Sequence, residues 1–537
     1  MPDTYERHSV FQFGYLRSED QDTAKPVRQP VVIVGAGPIG LATAIDLASR
    51  GVPVVLLDDA NRIGEGSRGL CYSKRALEIL DRLGVAAPVI DKGVTWQIGK
   101  VFFRDDMVYQ FDLLPEGGFK MPAFVNLQQY YLEKFLVDRA HQLEGVDLRW
   151  SNRVAAVEQL EDGVRLTVET PDGPYVIEAD YVVAADGARS TVRGLLGLDF
   201  VGQTFHDRFL IADVRMHADY PAERWFWFEP PFHGGQSTLL HKQADDIWRI
   251  DFQIGWDADP EEETKPENVH RRLSRMLEGR DYTLEWVSVY TFQCRRLEKF
   301  VHGRVIFAGD AAHQVSPFGA RGANSGFEDA ENIGWKLPLI LRGEASAALL
   351  DSYDIERTHA ADYNIGHSTR STDFITPKNN ASRDFRNAAL ELARRAPFAR
   401  RMVNSGRLSD PSVYETPLST PDAASFGGSA KLGFPVPDAP MSTADGADKW
   451  LLNALGHDFT LLVMKDGERP AGLPRDVSVV VIGEDILDKD GLFAKRYDAT
   501  PGACYLVRPD QHLAARFRHF DADKIDAALS RAKGGRS

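Results

Sequence analysis

The residues best suited to do chemistry in this chain begin with a glycine run, Gly35-Ala36-Gly37-Pro38-Ile39-Gly40. It lies between a β-branched stretch, Val31-Val32-Ile33-Val34, and a segment from Leu41 to Arg50 whose apolar spacing is helical. In such a strand-turn-helix the first glycine takes the tight turn, the second lets a pyrophosphate approach the backbone, and the third lets helix pack on strand. Pro38 at the helix start and the unpaired N–H groups beside it complete a phosphate cradle. A second strand, Val54-Val55-Leu56-Leu57, ends at Asp58, where an acid is placed to accept hydrogen bonds from a ribose. A bound dinucleotide is expected; NAD and FAD share the adenosine diphosphate that these residues would hold.

Two later segments bear on that choice. Tyr181-Val182-Val183-Ala184-Ala185-Asp186-Gly187-Ala188-Arg189-Ser190 is a strand that runs into an acid and a glycine, followed by Val192 and Arg193. Farther on, Gly309-Asp310-Ala311-Ala312-His313 precedes Pro317-Phe318-Gly319-Ala320-Arg321-Gly322-Ala323-Asn324 and a helical stretch with Asp329, Asn332 and Trp335. These resemble, in order and separation, the DG motif, the GD motif and the flavin loop of the class A flavoprotein monooxygenases, the family of para-hydroxybenzoate, phenol and hydroxyphenylpropionate hydroxylases.

The resemblance implies FAD as the cofactor, with Asp186, Gly309 and Asp310 at its ribityl and phosphate side, and Gly319, Gly322, Ala323 and Asn324 presenting backbone amides to its ring. It also implies Arg68, in the loop after the second strand, and Gln129, in Gln129-Tyr130-Tyr131-Leu132-Glu133, as flavin contacts. Pro317 would line the space where oxygen and substrate meet. In the family, NADH or NADPH binds transiently to reduce the flavin, dioxygen is the co-substrate, and a flavin C4a-hydroperoxide transfers oxygen to a small aromatic, phenolic substrate. No second glycine-rich nucleotide fold follows a strand here, which suits a transient reductant.

Substrate recognition is written less clearly. In Ile247-Trp248-Arg249-Ile250-Asp251-Phe252-Gln253-Ile254 the alternation puts Arg249, Asp251 and Gln253 on one face. That face either lines a pocket, with Arg249 pairing an anionic oxygen and Asp251 assisting deprotonation, or is the wet side of an antiparallel sheet, the commoner arrangement. His206 and His241 are further acid-base candidates near the same sheet, each with a structural alternative.

The elements that must position these groups indicate an α/β fold. It is a Rossmann-like FAD-binding domain with an inserted antiparallel-sheet substrate domain, ending in a thioredoxin-like domain. The expected divisions are an N-terminal arm (1–30), the first part of the FAD-binding domain (31–200) and the substrate domain (201–290). The second part with a helical region (291–410), a Pro, Ser, Gly and Asp-rich linker (411–446) and the thioredoxin-like unit (447–537) follow. That last unit resembles the domain ending phenol hydroxylases through Tyr505-Leu506-Val507-Arg508-Pro509-Asp510, but has no Cys-x-x-Cys, so packing or contact within a homodimer is its expected role.

At 537 residues the chain exceeds one hydrophobic core. Its net charge of -15 and lack of a basic run oppose nucleic acid or an anionic membrane as partner. Cys71, Cys294 and Cys504 are too scattered for a disulfide framework or a thiolate metal site, so no metal is expected, and a reducing, cytoplasmic setting suits them. Two rival readings remain. Trp225-Phe226-Trp227-Phe228-Glu229-Pro230 echoes the tryptophan-rich signature of flavin-dependent halogenases, with Glu229 in place of an aliphatic residue; a non-catalytic flavin-binding protein is the other.

Overall fold

The computed structural model describes residues 11–64, 69–404, 408–467, 469–474 and 476–535, the side chain of His206 excepted. The apolar run at Val31–Val34 is the inner half of a longer strand, Val27–Val34, paired in parallel with Tyr175–Ala184 on one side and Val54–Leu57 on the other. The end of the segment expected to be an arm is therefore already sheet. From edge to edge this sheet runs Val301–His302, Val305–Phe307, Tyr175–Ala184, Val27–Val34, Val54–Leu57 and Val146–Arg149. Its central strands are buried on both faces, which is why they read as continuous apolar runs. The helix Pro38–Ser49 packs against both Gln129–His141 and the long helix Gly322–Leu341.

The second large sheet differs from the expectation. Its order is His313–Gln314, Thr283–Leu297, Phe200–Arg215, Ile247–Ile254, Thr238–Lys242, Arg224–Phe228, Ile98–Phe103 and Asp106–Asp112. Two strands thus come from upstream of the inserted segment, and Arg224–Phe228 lies parallel to Ile98–Phe103, so the sheet is mixed rather than antiparallel. Alternation along one strand reveals its two faces but not its neighbour.

At the strand Ile247–Ile254 both faces of this sheet are covered. Trp248, Ile250 and Phe252 cluster with Val269, Leu273 and Leu277 of the helix Pro266–Leu277. On the opposite face, Phe209, Phe226, Phe228 and Phe292 pack on Phe318, Leu390 and Ala393. Arg249 and His241, each 4% exposed, lie on that second face, which overturns the solvated-face reading.

The C-terminal unit has the four-stranded order Val477–Ile482, Phe459–Met464, Cys504–Val507 and Leu513–Phe517. Its first pair is parallel and the others antiparallel, with the helix Ala522–Ala532 packed against the last two strands. The stretch expected to be a linker is tightly packed in places: Tyr414, Leu418, Ala430 and Val436 are buried. Its composition signals irregular backbone rather than exposure. Among the described residues no helix is long and apolar enough to cross a membrane.

Candidate active site

Each glycine of the turn meets different surroundings. Gly35 has φ +103°, and a Cβ there would fall 2.6 Å from the Ala185 carbonyl oxygen. A Cβ on Gly40 would fall 1.9 Å from the Gly35 oxygen, so helix and turn touch through backbone. Gly37, which caps the helix Pro38–Ser49, would point a Cβ into space holding no heavy atom within 4 Å. That opening beside a helix N-terminus is where a phosphate fits. Asp58 stands next to it. One carboxylate oxygen accepts from Ala36 N–H at 2.6 Å, the other from Ala60 N–H at 2.9 Å, and burial pushes its carboxyl up to about 6. Lone pairs remain on both oxygens for a ribose.

The motif acids occupy the same end of the sheet. Asp186 accepts from Val192 N–H at 3.0 Å through Oδ2, while its buried Oδ1 has no protein partner, and burial raises its pKa. Asp310 is exposed, whereas Gly309 beside it is buried and donates its N–H to Asp329 Oδ2 at 2.8 Å. Asp329 also meets His313 Nε2 at 2.7 Å and Arg357 Nε at 2.5 Å, so the turn before Asp310 is fixed from behind.

The Pro317–Asn324 loop is a turn followed by a helix start. Pro317 is exposed and its carbonyl accepts from Ala320 N–H at 3.0 Å; Gly319 carries φ +102° at the third position of that turn, a value other residues avoid. Gly322 and Ala323 open the helix, where N–H groups lack intrahelical acceptors. Phe318 locks the loop onto the mixed sheet, with ring centroids 4.9 Å from Phe209 and 5.4 Å from Phe292.

Two residues assigned to the flavin have their side chains engaged elsewhere. Asn324 accepts from Ser73 N–H at 3.0 Å and donates to the Cys71 carbonyl at 3.0 Å, tying the loop to the strand Cys71–Ser73. Gln129 accepts from Gly69 N–H at 2.7 Å and donates to Glu133 at 2.7 Å, which fixes the loop before that strand. Any direct contribution of Asn324 would come from its backbone N–H. Arg68 and the side chain of His206 lie outside the described residues.

Against the loop, the mixed sheet presents a row of polar residues drawn from four strands. Register places Arg224 opposite His241, His241 opposite Arg249, and Arg249 opposite Asp213. Arg249 Nε donates to Asp213 Oδ1 at 2.9 Å, and the pair is buried. Asp251 sits two residues along the same face. Its Oδ1 has no hydrogen-bond partner, and burial, only partly offset by Arg249, pushes its carboxyl up to about 6. His241 Nδ1 is likewise buried without a partner, and burial, reinforced by Arg224 and Arg249, holds the imidazole neutral. Burial lowers Arg224 to about 10. The Trp96 ring lies edge-on to His241 at 6.1 Å and belongs to an apolar cluster with Cys71, Phe124 and Ala320 of the loop.

The structure thus assembles Arg249, Asp251 and His241 on one face and adds Arg224 and Asp213, which sequence reasoning missed. In the strand Arg224–Phe228 the burial alternates, with Arg224 on the side of Phe226 and Phe228, but only the register shows which residues it joins. Among the described residues, no group of His, Cys, Asp and Glu side chains could hold a metal.

Comparison with known proteins gives a family profile described as FAD binding domain, matching residues 28–367. A 12-dehydrotetracycline 5-monooxygenase/anhydrotetracycline 6-monooxygenase of Streptomyces rimosus is 31% identical over 519 residues, covering 91% of this chain and 95% of its own. A 3-(3-hydroxy-phenyl)propionate/3-hydroxycinnamic acid hydroxylase of Mycolicibacterium smegmatis is 27% identical over 533 residues, covering 93% and 92%. Among solved structures, the OxyS anhydrotetracycline hydroxylase from Streptomyces rimosus superposes with a TM-score of 0.73 at 28% identity, covering 95% of this chain and 100% of that one. The flavin-dependent monooxygenase PieE, solved with FAD and substrate, gives 0.80 at 23% identity with the same coverage and bears on the fold alone.

Proposed function

The chain belongs to the FAD-dependent class A flavoprotein monooxygenases, and on that premise we propose that it hydroxylates a ring bearing an acidic hydroxyl, held between the polar sheet face and the Pro317–Asn324 loop. The residues present fit FAD. Gly35, Gly37, Pro38 and Gly40 form a backbone cradle with open space at Gly37, and Asp58 and Asp186 each keep oxygen capacity at its rim. Asp310 would take the ribityl side, and Gly319, Gly322 and Ala323 would offer the ring close backbone approach. When bound, FAD supplies the electrons, received from NADH or NADPH, that activate dioxygen beside the substrate.

The observation that carries the substrate reading is the unsatisfied Asp251 Oδ1 among two arginines and a neutral histidine. A carboxylate near pKa 6 is a better proton acceptor than an ordinary one and is still largely ionised at neutral pH. Asp251 Oδ1 would take the hydroxyl proton of the substrate, and Arg224 and Arg249 would stabilise the negative charge left on the ring oxygen. His241 Nδ1 would hold a second polar substituent. The withdrawn proton raises electron density at the ortho and para carbons. One ring C–H then becomes C–OH with one atom of dioxygen, the other atom leaves as water, and the nicotinamide is oxidised by two electrons. Trp96 and Phe318 keep water from the reacting edge. The relatives named for hydroxylated aromatic acids and for tetracycline precursors support a hydroxylated ring but not its size.

In the C-terminal unit, the four-stranded order with one antiparallel inner strand supports a thioredoxin-like fold. Burial pushes the Cys504 thiol up to about 12, so we assign that unit packing rather than redox work. Three unpaired cysteines favour a cytoplasmic setting.

The test is a panel of phenols, hydroxylated aromatic acids and fused hydroxylated rings, scored for stimulated NADH or NADPH oxidation. The best stimulator is then turned over under isotopically labelled dioxygen. One labelled oxygen per new hydroxyl is expected; product oxygen from water, or a halide in its place, would remove the proposal.

A further inference from the structure

The turn joining the last two strands of the C-terminal unit is unusual in being polar and yet buried: Arg508, Asp510, Gln511 and His512 are all 3% exposed or less. We propose that this turn is a positioning element for the flavin site, holding the helices Gly322–Leu341 and Pro38–Ser49 in the placement that sets the flavin loop and the phosphate cradle. The inference rests on the FAD-binding family and not on the substrate reading.

Three lines of contact run from the turn toward the site. The first ends on the long helix. Arg508 grips Glu356 with two bonds, Nη1 to Oε1 at 2.6 Å and Nη2 to Oε2 at 3.1 Å. Glu356 also receives Asn332 Nδ2 at 2.8 Å and Lys336 Nζ at 2.9 Å, both from the helix Gly322–Leu341. Trp335, from the same helix, donates its indole N–H to Asp510 Oδ2 at 2.9 Å. The second line passes through Arg75, which reaches Gln511 Oε1 and the Asp510 carbonyl at 2.9 Å each and pairs with Glu331. The helix of Arg75, Lys74–Arg82, starts directly after Ser73, whose N–H is held by Asn324 of the flavin loop. The third is Arg50, at the C-terminal end of the helix Pro38–Ser49, donating to the Pro509 carbonyl at 3.3 Å.

These helices have little room to move independently. Where they cross, a Cβ on Gly326 would fall 2.6 Å from Ile39 Cδ1, and one on Gly334 would fall 2.1 Å from Asp46 Oδ2. Trp335 and Gly322 lie on one continuous helix, so a tilt at the turn is carried about 20 Å to the flavin loop. Apolar packing alone would tolerate sliding, whereas forked, charge-assisted bonds fix direction and register. Redox chemistry gives no competing role to this unit, because Cys504 has no cysteine partner.

The test measures FAD binding in Arg508→Met and Trp335→Phe, by flavin fluorescence quenching and by visible circular dichroism of the bound flavin. A control, Phe493→Ala, weakens the apolar cluster formed with Tyr497 and Tyr505 in the same unit and removes none of the polar contacts of the turn. Variants are compared at matched melting temperature. Both turn variants are expected to bind FAD about 3- to 30-fold more weakly with an altered dichroism band, while the control keeps the wild-type band and affinity. If Arg508→Met does not fold, Trp335→Phe and Gln511→Ala carry the same criterion. Wild-type affinity in the turn variants, or equal loosening in the control, overturns the proposal. Neither result depends on turnover, so a failed substrate assignment would leave this test standing.

Discussion

Glu356 and Asp251 are both carboxylates taken out of bulk water, and their surroundings treat them in opposite ways. Glu356, 1% exposed, lies among Arg508, Lys336 and Asn332, with both oxygens bonded. Burial alone would raise its pKa, but Arg508 and Lys336 more than offset that and hold it below the usual carboxylate range. Asp251 also has arginines near it, yet Arg249 is turned toward Asp213, so burial prevails and the carboxyl rises to about 6 with one oxygen unpartnered. A saturated buried charge marks the seam where helices are held together. An unsaturated one marks a place that can still accept a proton or a ligand.

The largest effect expected from breaking this contrast is at the saturated end. Glu356→Ala leaves Lys336 buried without its ion-pair partner and Arg508 with Asp510 alone, which should cost about 3–5 kcal/mol of stability. Urea unfolding of the purified protein measures it. A loss below about 1 kcal/mol would mean that the seam is held by its apolar contacts and that the charges there are incidental.

At the unsaturated end the effect should fall on rate rather than on folding. Asp251→Asn is expected to slow product formation about 10²- to 10⁴-fold, the usual worth of a positioned base. Stability should move the other way. The folded pKa of Asp251 is raised, so between about 6 and 3.8 the native state binds its proton more tightly than the unfolded chain, and stability from this group rises as pH falls through that window. The Asn variant should therefore be more stable than wild type at pH 7, by up to about 3 kcal/mol, and lose that advantage as pH approaches 4. Glu356, with its lowered pKa, has the opposite sign: its contribution is present above the ordinary carboxylate range and disappears as pH falls through its folded value. Parallel pH profiles for Asp251→Asn and wild type would show that Arg249 and Arg224 neutralise Asp251 after all.

The contrast also explains what the sequence made legible. Gly35, Gly37 and Gly40 belong to a contiguous strand-turn-helix signal, where a few neighbouring residues determine the local shape, so a tight turn leading into a helix could be read from their spacing, whereas Asp186 and Asp310 are marked only by the resemblance of their segments to the family's motifs. The row Arg224, His241, Arg249 and Asp213 depends on register among four strands, with residues as far apart as Asp213 and Arg249, and the alternation along each strand is silent on that register. Alternation even favoured water for this face, because it cannot see that Phe318 and Leu390 come from elsewhere to cover it. Nothing in the sequence paired Glu356 with Arg508, since a charged residue on a helix or in a turn is most often solvated. The Pro and Gly-rich stretch misled for a similar reason: nothing local shows that Tyr414 stacks on His512 at 4.7 Å.

The smallest effect concerns two glycines three residues apart, Gly37 and Gly40, which restate the contrast between open and filled space. A Cβ on Gly40 would fall 1.9 Å from the Gly35 carbonyl oxygen, so that position is closed to any side chain. Gly37→Ala meets no heavy atom within 4 Å, and with φ -73° its backbone suits alanine. Alanine is a poorer helix cap than glycine, which should lower stability by at most about 1 kcal/mol. The methyl would instead occupy the space a pyrophosphate needs, weakening FAD about tenfold by keeping the phosphate from the helix N–H groups. Melting of the apo protein and FAD titration separate the two effects. Unchanged FAD affinity in Gly37→Ala would place the phosphates elsewhere and remove Gly37 from the cradle, whatever becomes of Gly40.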